Sequence, residues 1–136
     1  MKKDDCLFCK IANGDIPSKT IYEDQKFRVF LDISPATRGH ALIVPKDHYA
    51  DLFEISEETV KDAIALAKKI ASVMKERLHC EGINIVQNNG EVAGQSVFHF
   101  HMHLIPRYSD DHQNILWNPT NPDDAALEEI KNILKQ

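Results

Sequence analysis

Three histidines alternate with apolar side chains in the run FHFHMHL of residues 98–104. Successive side chains of a β-strand point to opposite faces, so a strand over residues 97–105 places His99, His101 and His103 on one face and the apolar side chains on the other. The two outer imidazoles then start roughly 13 Å apart, too far for all three to bind one zinc ion. The pattern predicts a strand with one face in the core and one face of functional histidines; a strand with a merely polar histidine face is the alternative.

The rest of the chain contains four further candidate strands and a long candidate helix. Apolar runs between turn residues predict strands at residues 21–23, 27–31, 41–45 and 83–87. Ser56 is a suitable N-cap for a helix from Glu57 to His79, and Gly82 is a suitable terminator. One face of this helix is predicted to present apolar residues spaced by four and three: Val60, Ile64, Ala67, Ala71, Met74 and Leu78.

A C-terminal helix is predicted by Pro122 and the apolar residues that follow it at helical spacing. The fold class is therefore α+β, with a five-stranded antiparallel sheet, one long helix between the third and fourth strands, and a C-terminal helix. The length of 136 residues fits a single domain over residues 1–136, of which 110–136 are the variable part.

The balance of charge excludes some classes of partner. Lys and Arg number 16 against 21 Asp and Glu, a formal net charge of −5, and no dense basic cluster occurs. Binding to a nucleic-acid backbone needs concentrated positive charge, so we expect no nucleic-acid partner. No apolar stretch approaches the roughly 20 residues that span a bilayer. Because the N-terminus also has no apolar signal core, we expect no membrane partner and a cytoplasmic location.

Two of the three cysteines form the pair Cys6-x-x-Cys9. This spacing is typical of half a zinc site, and a tetrahedral site needs two further ligands. A redox pair and two ordinary cysteines on a short helix are the alternatives. Cys80 is interpreted as an ordinary buried thiol.

Small and amide-bearing residues precede the histidine run. The segments Asn88-Asn89-Gly90 and Gly94-Gln95-Ser96 offer backbone N–H groups of the kind that bind anions. They predict a phosphate site beside the imidazoles, with plain turn chemistry as the alternative.

The histidine run resembles the His-x-His-x-His signature, with x apolar, of the histidine triad (HIT) superfamily of nucleotide-binding hydrolases and transferases. The resemblance extends to the segments CLFCKI, FLDISP, GHALIVPK and GQSV, which begin at residues 6, 30, 39 and 94. The chain looks most like the small histidine-triad nucleotide-binding proteins that cleave nucleoside phosphoramidates, in the bacterial-like version that keeps the N-terminal cysteine pair. This implies a HIT-like fold, a purine nucleotide substrate, and a homodimer with the long helix at its interface.

By this resemblance, the catalytic residues are the triad His99, His101 and His103 together with His40 and Ser96. His101 would attack the α-phosphorus and hold a covalent nucleotidyl group, while its second ring nitrogen keeps a proton toward a backbone carbonyl. His103 would donate to a nonbridging phosphate oxygen, and Ser96 would pass a proton to the leaving group. His40 would tune the nucleophile. Structural roles are the alternatives for Ser96 and His40.

The resemblance also implies the nucleotide contacts. Asp32 would accept hydrogen bonds from the ribose hydroxyls, Ile33 would contact the base, and Asn88 would contact ribose or phosphate. The backbone of Gly94-Gln95-Ser96 would hold the phosphate. An Asx turn is the alternative for Asp32.

A metal site follows from the same resemblance. In relatives that keep the cysteine pair, the residues at the positions of His48 and His99 complete a zinc site with Cys6 and Cys9. Four protein ligands leave no open position for substrate, so this zinc would be structural and no catalytic metal is required.

The favoured function is cleavage of purine nucleoside 5′-phosphoramidates at the α-phosphorus by a hydrolase or transferase. A dinucleoside polyphosphate hydrolase of the same superfamily and a non-enzymatic nucleotide-binding or scaffold protein are the alternatives. A sugar-nucleotide transferase is less favoured, because the chain is too short for the two-repeat architecture of that branch. Residues 110–119 are expected to border the pocket, with Trp117 in the site, in a dimer interface or in ordinary packing.

Overall fold

The computed structural model describes residues 1–136. The elements are α1 Leu7–Ala12, β1 Thr20–Glu23, β2 Phe27–Leu31, β3 Ala41–Pro45, α2 Glu57–Leu78, β4 Gly82–Val86, β5 Met102–Arg107 and α3 Asp124–Leu134, with one 3₁₀ turn at Glu91–Ala93. The strands form one antiparallel sheet in the order β1-β2-β3-β5-β4, so the predicted α+β fold is confirmed. None of the helices has the length and apolar character that crossing a bilayer requires.

Strand β5 begins at Met102, so the prediction that it starts at residue 97 is wrong. Its pairing with β3 ends at this residue. Continued pairing would bring Phe100 opposite Pro45, which has no N–H to donate to the ladder. The backbone N–H of Phe100 instead donates to the carbonyl of Tyr49 at 2.6 Å. The first two triad histidines therefore lie on an irregular segment that enters the strand.

The predicted separation of core and histidine faces is nevertheless present. Phe100, Met102 and Leu104 belong to the core cluster between the sheet and α2. The histidines lie on the opposite face, where the ring of Phe8 from α1 packs against His101. Phe98, which was predicted to share the core face, is 52% exposed and lies outside the core.

Helix α2 begins after Ser56, whose hydroxyl accepts a backbone N–H of the first turn, as predicted. It ends before His79, which has a left-handed φ of 56°. The prediction that Gly82 terminates this helix is wrong, because Gly82 is the first residue of β4. The face of α2 that packs on the core is also rotated relative to the predicted apolar face, since Ile64 is 51% exposed. The buried residues of α2 are Ala63, Leu66, Ala67, Ile70 and Met74.

The predicted C-terminal helix is present as α3, and none of its side chains is buried. Trp117, in the segment before it, is 82% exposed, so its interpretation as a packing residue of this chain is wrong. This segment contacts the loop after β2 through Gln113, whose side-chain amide donates to the carbonyl of Ala36 at 2.9 Å.

Candidate active site and metal centre

The three triad histidines follow one another across the sheet face that α1 covers. His99 is fully buried, His101 is 8% exposed, and the ring centroids of His101 and His103 are 5.0 Å apart. The ring of Phe8 packs edge-on against His101 with its centroid 5.0 Å away. The middle histidine is therefore held between His103, at the start of β5, and the aromatic ring of Phe8 from α1.

The protonation pattern of His101 follows from its partner. Nδ1 lies 2.7 Å from the backbone carbonyl oxygen of His99, and a carbonyl only accepts, so Nδ1 holds the proton and donates it. The lone pair is then on Nε2. Nε2 of His101 makes no hydrogen bond within the chain. It reaches solvent, because Arg28 Nε is the only fully buried side-chain nitrogen or oxygen that lacks a partner. Burial lowers the pKa of His101 and favours the neutral ring, the form a nucleophile needs.

A chain of hydrogen bonds sets the proton on His103. The backbone N–H of Ala36 donates to Nδ1 of His40 at 2.9 Å, so the proton of neutral His40 is on Nε2. Nε2 lies 2.9 Å from Nδ1 of His103 and donates to it, which leaves the proton of His103 on its own Nε2. Burial lowers the pKa of both rings, that of His103 to about 4. His103 is thus a neutral hydrogen-bond donor beside the nucleophile.

This relay also decides between two possible metal clusters. Asp32, His40 and His103 have ligand atoms within 4.8 Å of one another. However, a metal ion there would have to replace the proton on Nε2 of His40, while Nδ1 of the same ring is already occupied by the N–H of Ala36. The cluster is therefore a hydrogen-bond relay.

Asp32 follows β2 and has two different oxygens. Oδ1 accepts from the N–H of Ser34 at 2.8 Å, which is the Asx turn given as the alternative for this residue. Oδ2 lies 3.6 Å from Nε2 of His40 and makes no shorter contact. The next side chain, Ile33, is 96% exposed. The loop thus offers a free carboxylate oxygen and an uncovered apolar side chain side by side.

The loop of residues 90–97 has fewer free N–H groups than the sequence suggested. The N–H of Gly94 donates to the carbonyl of Glu91 at 2.9 Å, and the N–H of Gln95 donates to that of Gly90 at 3.1 Å. Neither group is free for an anion, so the expected phosphate contact through the backbone of Gly94 and Gln95 does not fit this loop. The backbone N–H and the hydroxyl of Ser96 have no partner within the chain and remain available.

The side chain of Gln95 holds this loop in place, a role the sequence did not indicate. It is 2% exposed, and its Oε1 accepts from the N–H of Gly90 at 2.8 Å. Its Nε2 donates to the carbonyl of Ala50 at 2.7 Å. Gly94 has a φ of 101°, and a Cβ there would lie 3.3 Å from Nδ2 of Asn88. The side chain of Asn88 therefore lies against this loop at Gly94.

Cys6, Cys9, His48 and His99 form the second cluster, with ligand atoms within 4.8 Å of one another. Nδ1 of His99 is 3.3 Å from Sγ of Cys6 and 3.4 Å from Sγ of Cys9. Nδ1 of His48 is 3.4 Å from Sγ of Cys9. A tetrahedral zinc ion separates nitrogen and sulfur ligands by about 3.6 Å. The four residues named from the sequence are thus brought together at nearly the spacing that zinc requires.

The surroundings of this cluster point the ligand atoms inward. Nε2 of His99 donates to the carbonyl of Pro45 at 2.8 Å, so its lone pair is on Nδ1, toward the sulfurs. The N–H of Lys3 donates to Sγ of Cys9, and the N–H of Cys9 donates to Sγ of Cys6. Burial raises the pKa of the Cys9 thiol, so a metal ion is what would keep that sulfur ionised. These residues fit a structural zinc ion, which would join the N-terminal segment to the sheet.

The family model of the HIT domain matches residues 13–110. The chain belongs to the HIT family. An adenosine 5′-monophosphoramidase of Schizosaccharomyces pombe is 40% identical to it over 126 residues, which are 93% of this chain and 90% of the relative. The recognition made from the histidine run is confirmed.

Solved structures of other HIT proteins have the same fold. The protein SMU.412c of Streptococcus mutans matches with a TM-score of 0.93 and 41% identity, over 98% of this chain and 85% of that one. A zinc-bound histidine triad family protein of Mycobacterium smegmatis matches with a TM-score of 0.78 and 40% identity, over 95% of this chain and 97% of that one. A metal ion is thus present in a HIT protein that resembles this one.

Proposed function

We propose that this HIT protein hydrolyses purine nucleoside 5′-phosphoramidates through a covalent nucleotidyl group on His101. The observation that carries the proposal is the hydrogen bond from Nδ1 of His101 to the carbonyl of His99, which leaves the Nε2 lone pair open to solvent. The relative in Schizosaccharomyces pombe is an adenosine 5′-monophosphoramidase, which supports this substrate class.

In the first step, Nε2 of His101 attacks the α-phosphorus and the bond from phosphorus to the leaving nitrogen breaks. The hydroxyl of Ser96 gives its own proton to the departing amine. Nε2–H of His103 donates to a nonbridging oxygen, where charge increases in the transition state. The Nδ1–H of His101 stabilises the imidazolium character of the intermediate through its bond to the carbonyl of His99.

In the second step, water attacks the same phosphorus and returns a proton to Ser96. The bond to His101 breaks, which returns the electron pair to Nε2 and releases the nucleoside monophosphate. Asp32 accepts from the ribose hydroxyls through Oδ2, Ile33 covers the base, and Asn88 contacts ribose or phosphate. Gly94 and Gln95 act by shaping the loop that presents Ser96.

Turnover of adenosine 5′-phosphoramidate beside diadenosine tetraphosphate tests the proposal, with AMP release followed by chromatography. We expect AMP from the phosphoramidate with the wild type and none with His101→Ala. Preferred cleavage of the dinucleotide would replace the proposal with a dinucleoside polyphosphate hydrolase. AMP binding without turnover of either compound would indicate a nucleotide-binding protein.

We further propose that Cys6, Cys9, His48 and His99 bind one zinc ion with a structural role. The inward-facing Nδ1 of His99 and the N–H groups donated to both sulfurs support this. Elemental analysis of protein purified without chelator should find one zinc ion per chain, and protein free of zinc would contradict it.

A homodimer is proposed from the exposed edge of the sheet. Strand β4 pairs on one side only, and Ile85 in it is 45% exposed. On α2, Ile64 is 51% and Val73 is 37% exposed. A two-fold contact that pairs these surfaces would cover both. Light scattering at micromolar concentration should give the mass of two chains, and a monomer would contradict the proposal.

A further inference from the structure

The backbone N–H of Ala36 fixes the proton on His40, and through it the proton on His103. This N–H belongs to the loop between β2 and β3, and we call residues 36–40 of that loop the relay loop. A hydrogen bond weakens steeply when its distance or angle worsens, so the relay is set only while Ala36 keeps its place. The position of the relay loop is therefore a condition for the protonation pattern of the site.

Two side chains of the segment 107–113, which follows the triad in the chain, donate hydrogen bonds to the relay loop. The side-chain amide of Gln113 donates to the carbonyl of Ala36 at 2.9 Å. The hydroxyl of Tyr108 donates to the carbonyl of Arg38 at 2.9 Å. The residue whose N–H sets the relay is thus tied to a distant segment of the chain.

Thr37, between these two attachments, makes a third one. Its side chain is 8% exposed, and its hydroxyl donates to the carbonyl of Pro106 at 2.5 Å. Pro106 lies in β5, the strand that also carries His103. The relay loop is therefore fixed to the strand of the last triad histidine and to the turn that follows this strand.

Asp111 holds that turn in shape. Its carboxylate accepts from Nε and Nη2 of Arg107 at 2.8 and 3.1 Å, and from the backbone N–H groups of Tyr108 and Gln113, each at 2.9 Å. The Arg107 guanidinium and these N–H groups lower the pKa of Asp111, so the carboxylate stays ionised near neutral pH. One carboxylate thus fixes the backbone on both sides of the turn that presents the two donors.

We propose that the turn of residues 107–113 positions the His40–His103 relay, with Tyr108 and Gln113 as positioning residues for the reaction. The inference rests on the proposed phosphoramidase function. Neither side chain hydrogen-bonds to a histidine of the site, so both act through the backbone of the relay loop. Without them the N–H of Ala36 is no longer held toward Nδ1 of His40.

The double variant Tyr108→Phe/Gln113→Met tests this role, because it removes both donors but keeps an aromatic ring and the length of the second side chain. In turnover of adenosine 5′-phosphoramidate, kcat should fall about tenfold and KM should change less than about twofold. In a His40→Ala background the relay is already lost, so the same two substitutions should change kcat by less than about twofold.

Tyr22→Phe is the matched control for Tyr108→Phe. The hydroxyl of Tyr22 also makes one hydrogen bond of 2.9 Å, to Asp24 next to β1, away from the relay loop. Its loss should leave kcat at the wild-type value. Tyr108→Phe alone should lower kcat about threefold.

Nitrogen-15 NMR of the labelled histidine side chains gives a second readout that needs no substrate. In the wild type, Nδ1 of His40 should have the shift of an unprotonated nitrogen and Nε2 that of a protonated one. In the double variant, the share of His40 with its proton on Nδ1 should rise.

Each outcome supports or overturns the positioning role. An equal loss of kcat in the wild-type and His40→Ala backgrounds overturns it, because a merely structural role gives that result. An unchanged His40 tautomer in the double variant overturns it as well. Failure of the wild type to cleave the phosphoramidate contradicts the proposed function itself, and the NMR readout then decides the positioning role on its own.

Discussion

Replacing Gln95 with methionine removes the carboxamide that holds the loop of residues 90–97 but keeps the length of the side chain. The side chain is 2% exposed, and its two shortest hydrogen bonds join it to the N–H of Gly90 at 2.8 Å and to the carbonyl of Ala50 at 2.7 Å. Methionine can make neither bond, so both backbone groups lose their partner.

An unsatisfied buried polar group costs about 1–3 kcal/mol, so two give about 2–6 kcal/mol. Both bonds are only partly buried, and water can replace part of the loss. The lower half of the range therefore applies, and the free energy of unfolding should fall by about 2–4 kcal/mol. Ser96 follows Gln95 directly, so kcat for a phosphoramidate should also fall, by about tenfold.

Urea unfolding followed by circular dichroism measures the change in stability. Gln113→Met is the matched control, because this exposed glutamine makes one side-chain bond, to the carbonyl of Ala36 at 2.9 Å. Its free energy of unfolding should change by less than about 1 kcal/mol. If Gln95→Met also lowers the free energy of unfolding by less than about 1 kcal/mol, the reasoning is refuted.

Three further predictions concern the relay, the metal centre and acid stability. His40→Ala removes the donor to Nδ1 of His103 and should lower kcat about 10²-fold in a phosphoramidate assay with zinc content unchanged; wild-type turnover would refute the relay. Cys9→Ser should lose zinc in elemental analysis and lower the melting temperature by more than about 5 °C. A variant with the zinc content and the melting temperature of the wild type would exclude the metal centre. The pKa of His103 is lowered from 6.5 to about 4, so the unfolded chain binds the proton more readily between these values. Stability should therefore rise with pH through that window, and urea unfolding of His103→Asn should show a slope smaller by up to about 1.4 kcal/mol per pH unit; equal slopes would contradict the shift.

The features that the sequence predicted correctly depend on local pattern. Alternating side chains in the histidine run separated the core from the site, and turn residues bounded the short strands closely. Ser56 identified the start of α2 because a cap depends on its own first turn. Spacing alone identified half of a metal site, and the resemblance to a family identified His48 and His99, which the fold places beside the cysteines.

The features that the sequence could not predict depend on contacts between distant segments. Strand β5 starts late because Pro45, on another strand, ends the ladder. The proton on His103 is set by a backbone N–H of Ala36, a group that every residue except proline has and that leaves no sequence signal. The N–H groups of Gly94 and Gln95 are occupied within their own loop, which the glycine pattern does not reveal.

Capture of the covalent intermediate tests the central claim that Nε2 of His101 is the nucleophile. Wild-type protein is mixed with a stoichiometric amount of adenosine 5′-phosphoramidate, quenched in alkaline denaturant, and analysed by intact mass and peptide mapping. The account predicts an adenylyl group on His101 that appears before free AMP and is absent from His101→Ala. Normal AMP release with no protein adduct, or an adduct on another residue, would contradict it.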